Sequence, residues 1–374
     1  MKTTIVGGGI TGLTTAIALK KLGIETKVYE KTPQLGETGA GIMLQPNAMK
    51  VLNHIGIGEA ICDVGKSIDQ FEIADQQLKP YRQLKTNFDT TKIIAIHRAR
   101  LHKVLYDALP SDVVSLNQEY LSHQQNENLV SVEFSNAKVE TQILLGADGI
   151  HSNLAKQLFN AKSRYSGQTC WRGIAHMSLP ADLAHRGKEC WGENIRFGFV
   201  SISDTEVYWF AVAMAPEHQK DEPAERKAML MEKYKNFHPL IHEIIQNTDE
   251  TKMIRNDISD LERLNCWHKD SICLLGDAAH ATTPNMGQGA CQGIEDAYYI
   301  SRALSSNDNL RAAFLQFEQE RRKKVDHVVN NSWRFGQMAH RPFGRRMVKT
   351  IMKLSPTSVL KNQLKKVYSV DGLS

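Results

Sequence analysis

The chain has 374 residues, 41% of them hydrophobic, enough to bury a large core and to form two structural units. A formal net charge of +5 gives nucleic-acid binding no support beyond one basic patch near the C-terminus, and no apolar run of roughly 18 residues exists to span a membrane. Cys62, Cys170, Cys190, Cys266, Cys273 and Cys291 show no C-x-x-C pair and no metal-ligand spacing with histidine, so no metal site is expected. They read as buried thiols of a reducing compartment, and a first strand starting almost at once leaves no room for a signal peptide, so the expected location is cytoplasmic.

In chain order, Thr3–Val6 runs into Gly7-Gly8-Gly9-Ile10-Thr11-Gly12, then the helix-like Leu13–Leu22 and a second strand, Ile24–Tyr29, ending at Glu30. This is the fingerprint of a βαβ dinucleotide site. Gly7 permits the turn, Gly9 lets the backbone approach a pyrophosphate, and Gly12 lets helix and strand pack closely. Bare N–H groups at the helix start favour phosphate. Glu30, with Lys31 beside it, is placed for the ribose of an ADP-containing ligand.

A short strand pair near Ile68–Leu84 is expected to join a later sheet. Val130–Phe134 and Thr141–Leu145 read as strands, the second ending in Gly146-Ala147-Asp148-Gly149. From about Tyr165 to Trp267 the character changes: Cys170–Met177, Arg196–Ile202 and Glu206–Met214 are strand-like and aromatic, predicting an antiparallel sheet with Met229–Gln246 as one amphipathic helix upon it. Tyr208, Phe210, Val212 and Met214 share a face, with Trp209 opposite. Ser271–Leu275 is another apolar strand, ending in Gly276-Asp277-Ala278-Ala279-His280, and a Pro284–Gly289 loop then opens the helix Cys291–Leu304. Acids just past the ends of such strands lie where open α/β sheets bind ligands. After Ser305 helices dominate, with breaks at Pro342-Phe343-Gly344 and Pro356. Eight Lys or Arg and no Asp or Glu lie between Arg341 and Lys366, expected as a solvated basic face, with peripheral membrane contact as the alternative.

The glycine fingerprint, G-A-D-G and G-D-A-A-H…P…G-x-G, in that order, resemble the signatures of the FAD-dependent aromatic hydroxylases, the single-component flavoprotein monooxygenases. Leu275–Ala297 and Tyr165-Ser166-Gly167…Trp171-Arg172-Gly173 look closest to the branch with bacterial urate hydroxylase, zeaxanthin epoxidase and salicylate hydroxylase. The resemblance implies a Rossmann-like, glutathione-reductase-like FAD domain (1–67, 85–164, 268–330) interleaved with a substrate sheet (68–84, 165–267), and basic C-terminal helices (331–374). It implies FAD contacts from Asp277, Pro284, Gly287, Gln288, Gly289, Ala290, Gly41, Met43, Arg98 (in Arg98-Ala99-Arg100-Leu101) and the strand near Tyr120. Asp148 would serve the pyrophosphate and a passing nicotinamide. The family's Arg three residues after the Ser following G-A-D-G is absent: Ser152 leads to Ala155 and Lys156.

The implied reaction is reduction of FAD by NADH or NADPH, addition of dioxygen as a flavin C4a-hydroperoxide, and oxygen transfer to a small aromatic or conjugated substrate by a monomer or weak dimer. Arg196, Arg172 and Tyr208 are the candidates for the substrate pocket, a buried arginine there orienting an anionic substrate or raising electron density at carbon by favouring its deprotonated form. Asn285 stands where urate-hydroxylase-like enzymes carry an acid, and it cannot serve as a carboxylate base. Competing readings are a lipid or isoprenoid epoxidase at a membrane surface and a non-catalytic flavin redox sensor. A halogenase is disfavoured by the lack of W-x-W-x-I-P.

Overall fold

The computed structural model describes residues 1–34, 39–81, 91–126 and 129–373. The opening strand, Lys2–Val6, pairs in parallel with Glu25–Tyr29 on one side and Ile143–Gly146 on the other. Val114–Ser115 and Ile272–Leu274 extend this sheet in parallel, and His268–Lys269 closes one edge antiparallel. Ile143–Gly146 and Ile272–Leu274 are apolar and buried throughout, and Thr3 to Val6 are buried beside them, because both faces are covered. Helix Ile10–Lys21 packs against the sheet and against helix Gly289–Ser306, and the antiparallel strands Tyr120–Asn126, Leu129–Phe134 and Lys138–Thr141 form a further layer. Parallel pairing puts the carboxyl ends of Lys2–Val6, Ile143–Gly146 and Ile272–Leu274 side by side, so three loops far apart in sequence meet at one edge.

A second sheet has the order Ile254–Leu261, Ser163–His176, Glu206–Met214, Ile195–Ser201, Arg186–Trp191, Gln70–Asp75. It is antiparallel except for the last pair, which is parallel. The alternation expected for Glu206–Met214 is present. Trp209 stacks on Phe197 in a core completed by Tyr234, Ile241 and Ile244, whereas Tyr208, Phe210 and Val212 face a cavity.

Several expected elements differ. Of the pair near Ile68–Leu84, Gln70–Asp75 joins the second sheet, but Lys66–Ile68 pairs with Ile93–His97 beside Gly41–Leu44; residues 82–84 lie outside the described residues. Thr141–Leu145 is not one strand: the chain changes sheets at Gln142 while the Thr141 hydroxyl donates to the Lys2 carbonyl. Met229–Gln246 is split into Arg226–Lys233 and Pro239–Gln246. Proline lacks an N–H and keeps the preceding residue out of helical geometry, and His238 at φ −53°, ψ 142° caps the second helix instead. Helix Leu310–His340 runs without a break through residue 331, and Pro342–Leu354 and Thr357–Tyr368 follow, interrupted at the prolines as composition predicted.

Candidate functional site

The three glycines of the fingerprint fall into two kinds. A Cβ at Gly7 (φ +102°) would sit 2.4 Å from the Ala147 carbonyl oxygen, and one at Gly12 would sit 1.9 Å from the Gly7 oxygen, so both are required for the chain to pass itself. A Cβ at Gly9 meets nothing within 4 Å. Gly9 caps helix Ile10–Lys21 without a side-chain bond, and Gly9, Ile10 and Thr11 border a cavity, so the helix start presents bare N–H groups to that space. Glu30 orders the turn from the neighbouring strand: its carboxylate accepts from the Gly8 N–H at 2.6 Å and the Thr32 N–H at 3.0 Å, with Lys31 exposed alongside.

The other two loops close on the same space. Ala147 and Gly149 border it, and Asp148 between them accepts from the Asn153 N–H at 3.1 Å while its other oxygen is buried without a protein partner. Burial raises the Asp148 carboxyl above its usual range, against the Ser152 hydroxyl and backbone N–H groups. The Asp277 carboxylate opens into the cavity. Desolvation raises it too, opposed by His280 and Arg98. Pro284, Gly287, Gly289 and Ala290 border the cavity, as do Gly41, Met43 and Arg98 on the facing strand and turn. Gly41 also has a packing reason to be glycine: a Cβ there would lie 2.3 Å from the Tyr208 ring.

Two candidates are directed elsewhere. The Gln288 amide turns inward, donating to Gln45 Oε1 at 2.5 Å and accepting from Asn47 Nδ2 at 2.9 Å, so only its backbone is available to a ligand. The Tyr120 hydroxyl bonds Gln157 at 2.7 Å and His123 at 2.6 Å, and its ring packs edge-on to Phe134. His280, which the Gly276–His280 motif marks as structural, is held in a buried network. Its Nε2 is 2.6 Å from Asp296, which also accepts from the Gly276 N–H and from buried Arg321. Burial opposes the Asp296 charge, but His280 and Arg321 prevail and hold its carboxyl below the usual range.

The roof is built on the second sheet. Tyr208, Phe210, Val212 and Cys170 face the cavity with Phe335, and its volume is about 530 Å³. The Tyr208 hydroxyl is pushed up to about 12 by burial, with the adjacent Arg172 opposing. Arg172 sits against Cys170 and Tyr208, whose interaction favours its charge. Arg196, expected as a cation that orients an anionic substrate, borders the cavity with its charge already met. Only 2% exposed, it donates to Glu189 at 2.8 Å, Asn285 at 2.7 Å, Gln168 at 3.2 Å and His340 Nε2 at 3.1 Å, so a carboxylate already neutralises it. Burial and the Arg196 charge hold His340 down at about 4, so the neutral ring accepts from Arg196 and donates from Nδ1 to the Asn194 carbonyl. Asn285 is committed as well, its amide donating to Thr283 Oγ1 and the Ser332 carbonyl. Pattern reading missed Glu189, Gln168 and His340, which carry no motif and meet only through folding. It also missed Leu364, Val367 and Tyr368 of the last helix, which border the cavity.

Three loop ends with an open glycine approach, two helix starts, an unpartnered buried carboxylate oxygen and a long chamber fit an extended dinucleotide flavin. A family model described as FAD binding domain matches residues 1–332. The chain belongs to that family. It is similar to the aurachin C monooxygenase/isomerase of Stigmatella aurantiaca, 35% identical over 340 residues covering 89% of this chain and 88% of that one. It is also similar to the FAD-dependent urate hydroxylase of Klebsiella pneumoniae, 26% identical with 88% of each chain covered. The crystal structure of Klebsiella pneumoniae HpxO complexed with FAD and uric acid superposes with a TM-score of 0.91 at 23% identity, covering 98% of this chain and 96% of that one, a likeness of fold. This FAD-binding protein is therefore an oxidoreductase of the flavoprotein monooxygenase family of aromatic hydroxylases, as its three motifs implied. Among the described residues no helix is long and apolar enough to cross a membrane, and no group of side chains is arranged to hold a metal.

Proposed function

We propose that the chain hydroxylates a small aromatic or conjugated substrate with dioxygen and NADH or NADPH. The observation that carries this is one continuous cavity reaching from Gly9 at the phosphate-binding turn, past the Gly287–Ala290 loop, to the aromatic roof at Phe210 and Phe335. Bound FAD supplies acceptance of electrons from the nicotinamide and activation of dioxygen.

The chain's own residues bind, orient and exclude water. Gly9 and the first turn of helix Ile10–Lys21 take the pyrophosphate, Glu30 with Lys31 the adenosine ribose, and Asp277 the ribityl hydroxyls. The strand carrying Gly41 and Met43 and the Arg98 side chain flank the ring. The amide groups from Gly287 through Ala290 stabilise negative charge on its edge. Asp148 borders the path of the reductant, and the strand bearing Tyr120 backs the adenine side. Phe210, Val212 and Phe335 keep the chamber dry.

Tyr208 stays a neutral phenol at physiological pH, and Arg172 fixes its orientation, giving the substrate a hydroxyl to meet. Arg196, compensated by Glu189, holds Asn285 in place and offers the chamber a polar but neutral wall. The test is anaerobic flavin bleaching and aerobic NAD(P)H consumption by the yellow holoprotein across neutral and anionic phenols and heterocycles. Stimulation by at least one member of the panel with formation of hydroxylated product is expected, and no stimulation by any aromatic refutes the reading.

A further inference from the structure

The C-terminal helices present the exposed basic residues that composition suggested, and beside them an apolar stripe that composition did not. Along Pro342–Leu354, Phe343, Met347, Ile351 and Leu354 recur at intervals of four, four and three residues, which places them on one helical face. They are exposed by 79%, 37%, 50% and 76%. This outward orientation is set by packing, because Val348 is buried with Trp191 and Ala339, and Lys349 Nζ lies 4.9 Å from the Tyr81 ring centre. Beyond the Pro356 break, Val359 adds another exposed apolar side chain.

The surroundings of the stripe are cationic. Arg346 and Lys353 are exposed beside it, and Lys361, Lys365 and Lys366 are exposed on the following helix. No Asp or Glu occurs anywhere from Arg341 to Lys366. An apolar stripe rimmed by cations fits the headgroup boundary of an anionic bilayer, where acyl chains cover the stripe and lipid phosphates meet the charges. A second copy of the chain fits poorly, because a two-fold contact sets the same cations against themselves. The following helix, Thr357–Tyr368, also supplies Leu364, Val367 and Tyr368 to the cavity wall.

We propose that these two C-terminal helices dock the protein on anionic lipid membranes, with Phe343, Met347, Ile351 and Leu354 inserted at headgroup level. Docking then holds one wall of the flavin cavity at the membrane surface. The test is flotation of the full-length, flavin-loaded protein with phosphatidylcholine vesicles and with phosphatidylcholine–phosphatidylglycerol vesicles. Expected is association with the anionic vesicles, weakened by salt and by roughly fivefold for each cation removed. Ile351→Asp with Leu354→Asp should lower partitioning by at least about tenfold while flavin absorbance and melting temperature stay unchanged. No association with anionic vesicles, equal association by the double variant, or a dimer in light scattering that the double variant dissociates would each overturn the proposal. Flavin content and lipid binding are read separately, so a failure of the hydroxylase reading leaves this result interpretable.

Discussion

Gly9→Ala and Gly12→Ala, three residues apart in one turn, should fail in opposite ways. At Gly12 the new Cβ would stand 1.9 Å from the Gly7 carbonyl oxygen, a backbone atom that cannot move without opening the helix–strand contact. Overpacking of this kind costs about 1–3 kcal/mol or more, so Gly12→Ala should lower the melting temperature of the apoprotein. At Gly9 the backbone lies at φ −74°, ψ −174°, a conformation alanine adopts freely, and the methyl group meets no protein atom. Apo stability should therefore be unchanged. The methyl group does enter the space in front of the helix N–H groups, and displacing a phosphate from two charge-assisted hydrogen bonds at about 1.5–3 kcal/mol each weakens FAD by roughly 100-fold or more. Thermal melting of apoproteins and FAD titration by fluorescence quenching separate the two effects. A Gly9→Ala protein that binds FAD as tightly as wild type, or whose apo form is strongly destabilised, would refute the assignment of this turn to the pyrophosphate.

Asp277→Ala should yield a folded apoprotein with little bound flavin. Asp277 is exposed on the cavity wall, so removing its carboxylate should leave the apo melting temperature near that of wild type while flavin absorbance falls. The opposite pattern, flavin retained and stability lost, would assign the residue a structural role. Histidine 340 predicts a pH dependence. Its folded value is about 4 against 6.5 when unperturbed, so below pH 6.5 the unfolded chain binds the proton first. Stability is then fully present above about pH 6.5 and declines down to about pH 4, by of the order of 3 kcal/mol. Urea titrations across that window should show the slope in wild type and a shallower one in His340→Gln. Glu189→Gln leaves Arg196 buried without a counter-charge, which should destabilise the protein by about 3–5 kcal/mol and create affinity for small aromatic carboxylates. An unchanged urea midpoint would contradict the compensation described here.

What the chain dictates locally was readable from it. The Gly7–Gly12 turn, the acids Asp148 and Asp277 past their strands, the alternation of Tyr208, Phe210 and Val212 against Trp209, and the proline breaks at 342 and 356 are matters of neighbouring residues and backbone sterics. Even so, Pro239 inside Met229–Gln246 was a stop signal that amphipathic periodicity concealed. Which distant side chains share a wall depended on sheet order instead. Glu189 comes to Arg196 from the adjoining strand, Gln168 from two strands away, and His340 from a helix 144 residues further on. Only that convergence turned a lone arginine into a neutral buried pair. In the same way, the sequence contained the period of Phe343, Met347, Ile351 and Leu354, but periodicity says only that one face is apolar. Whether it points inward or outward was decided by Val348 finding Trp191, because a helix can bury just the side its neighbours reach.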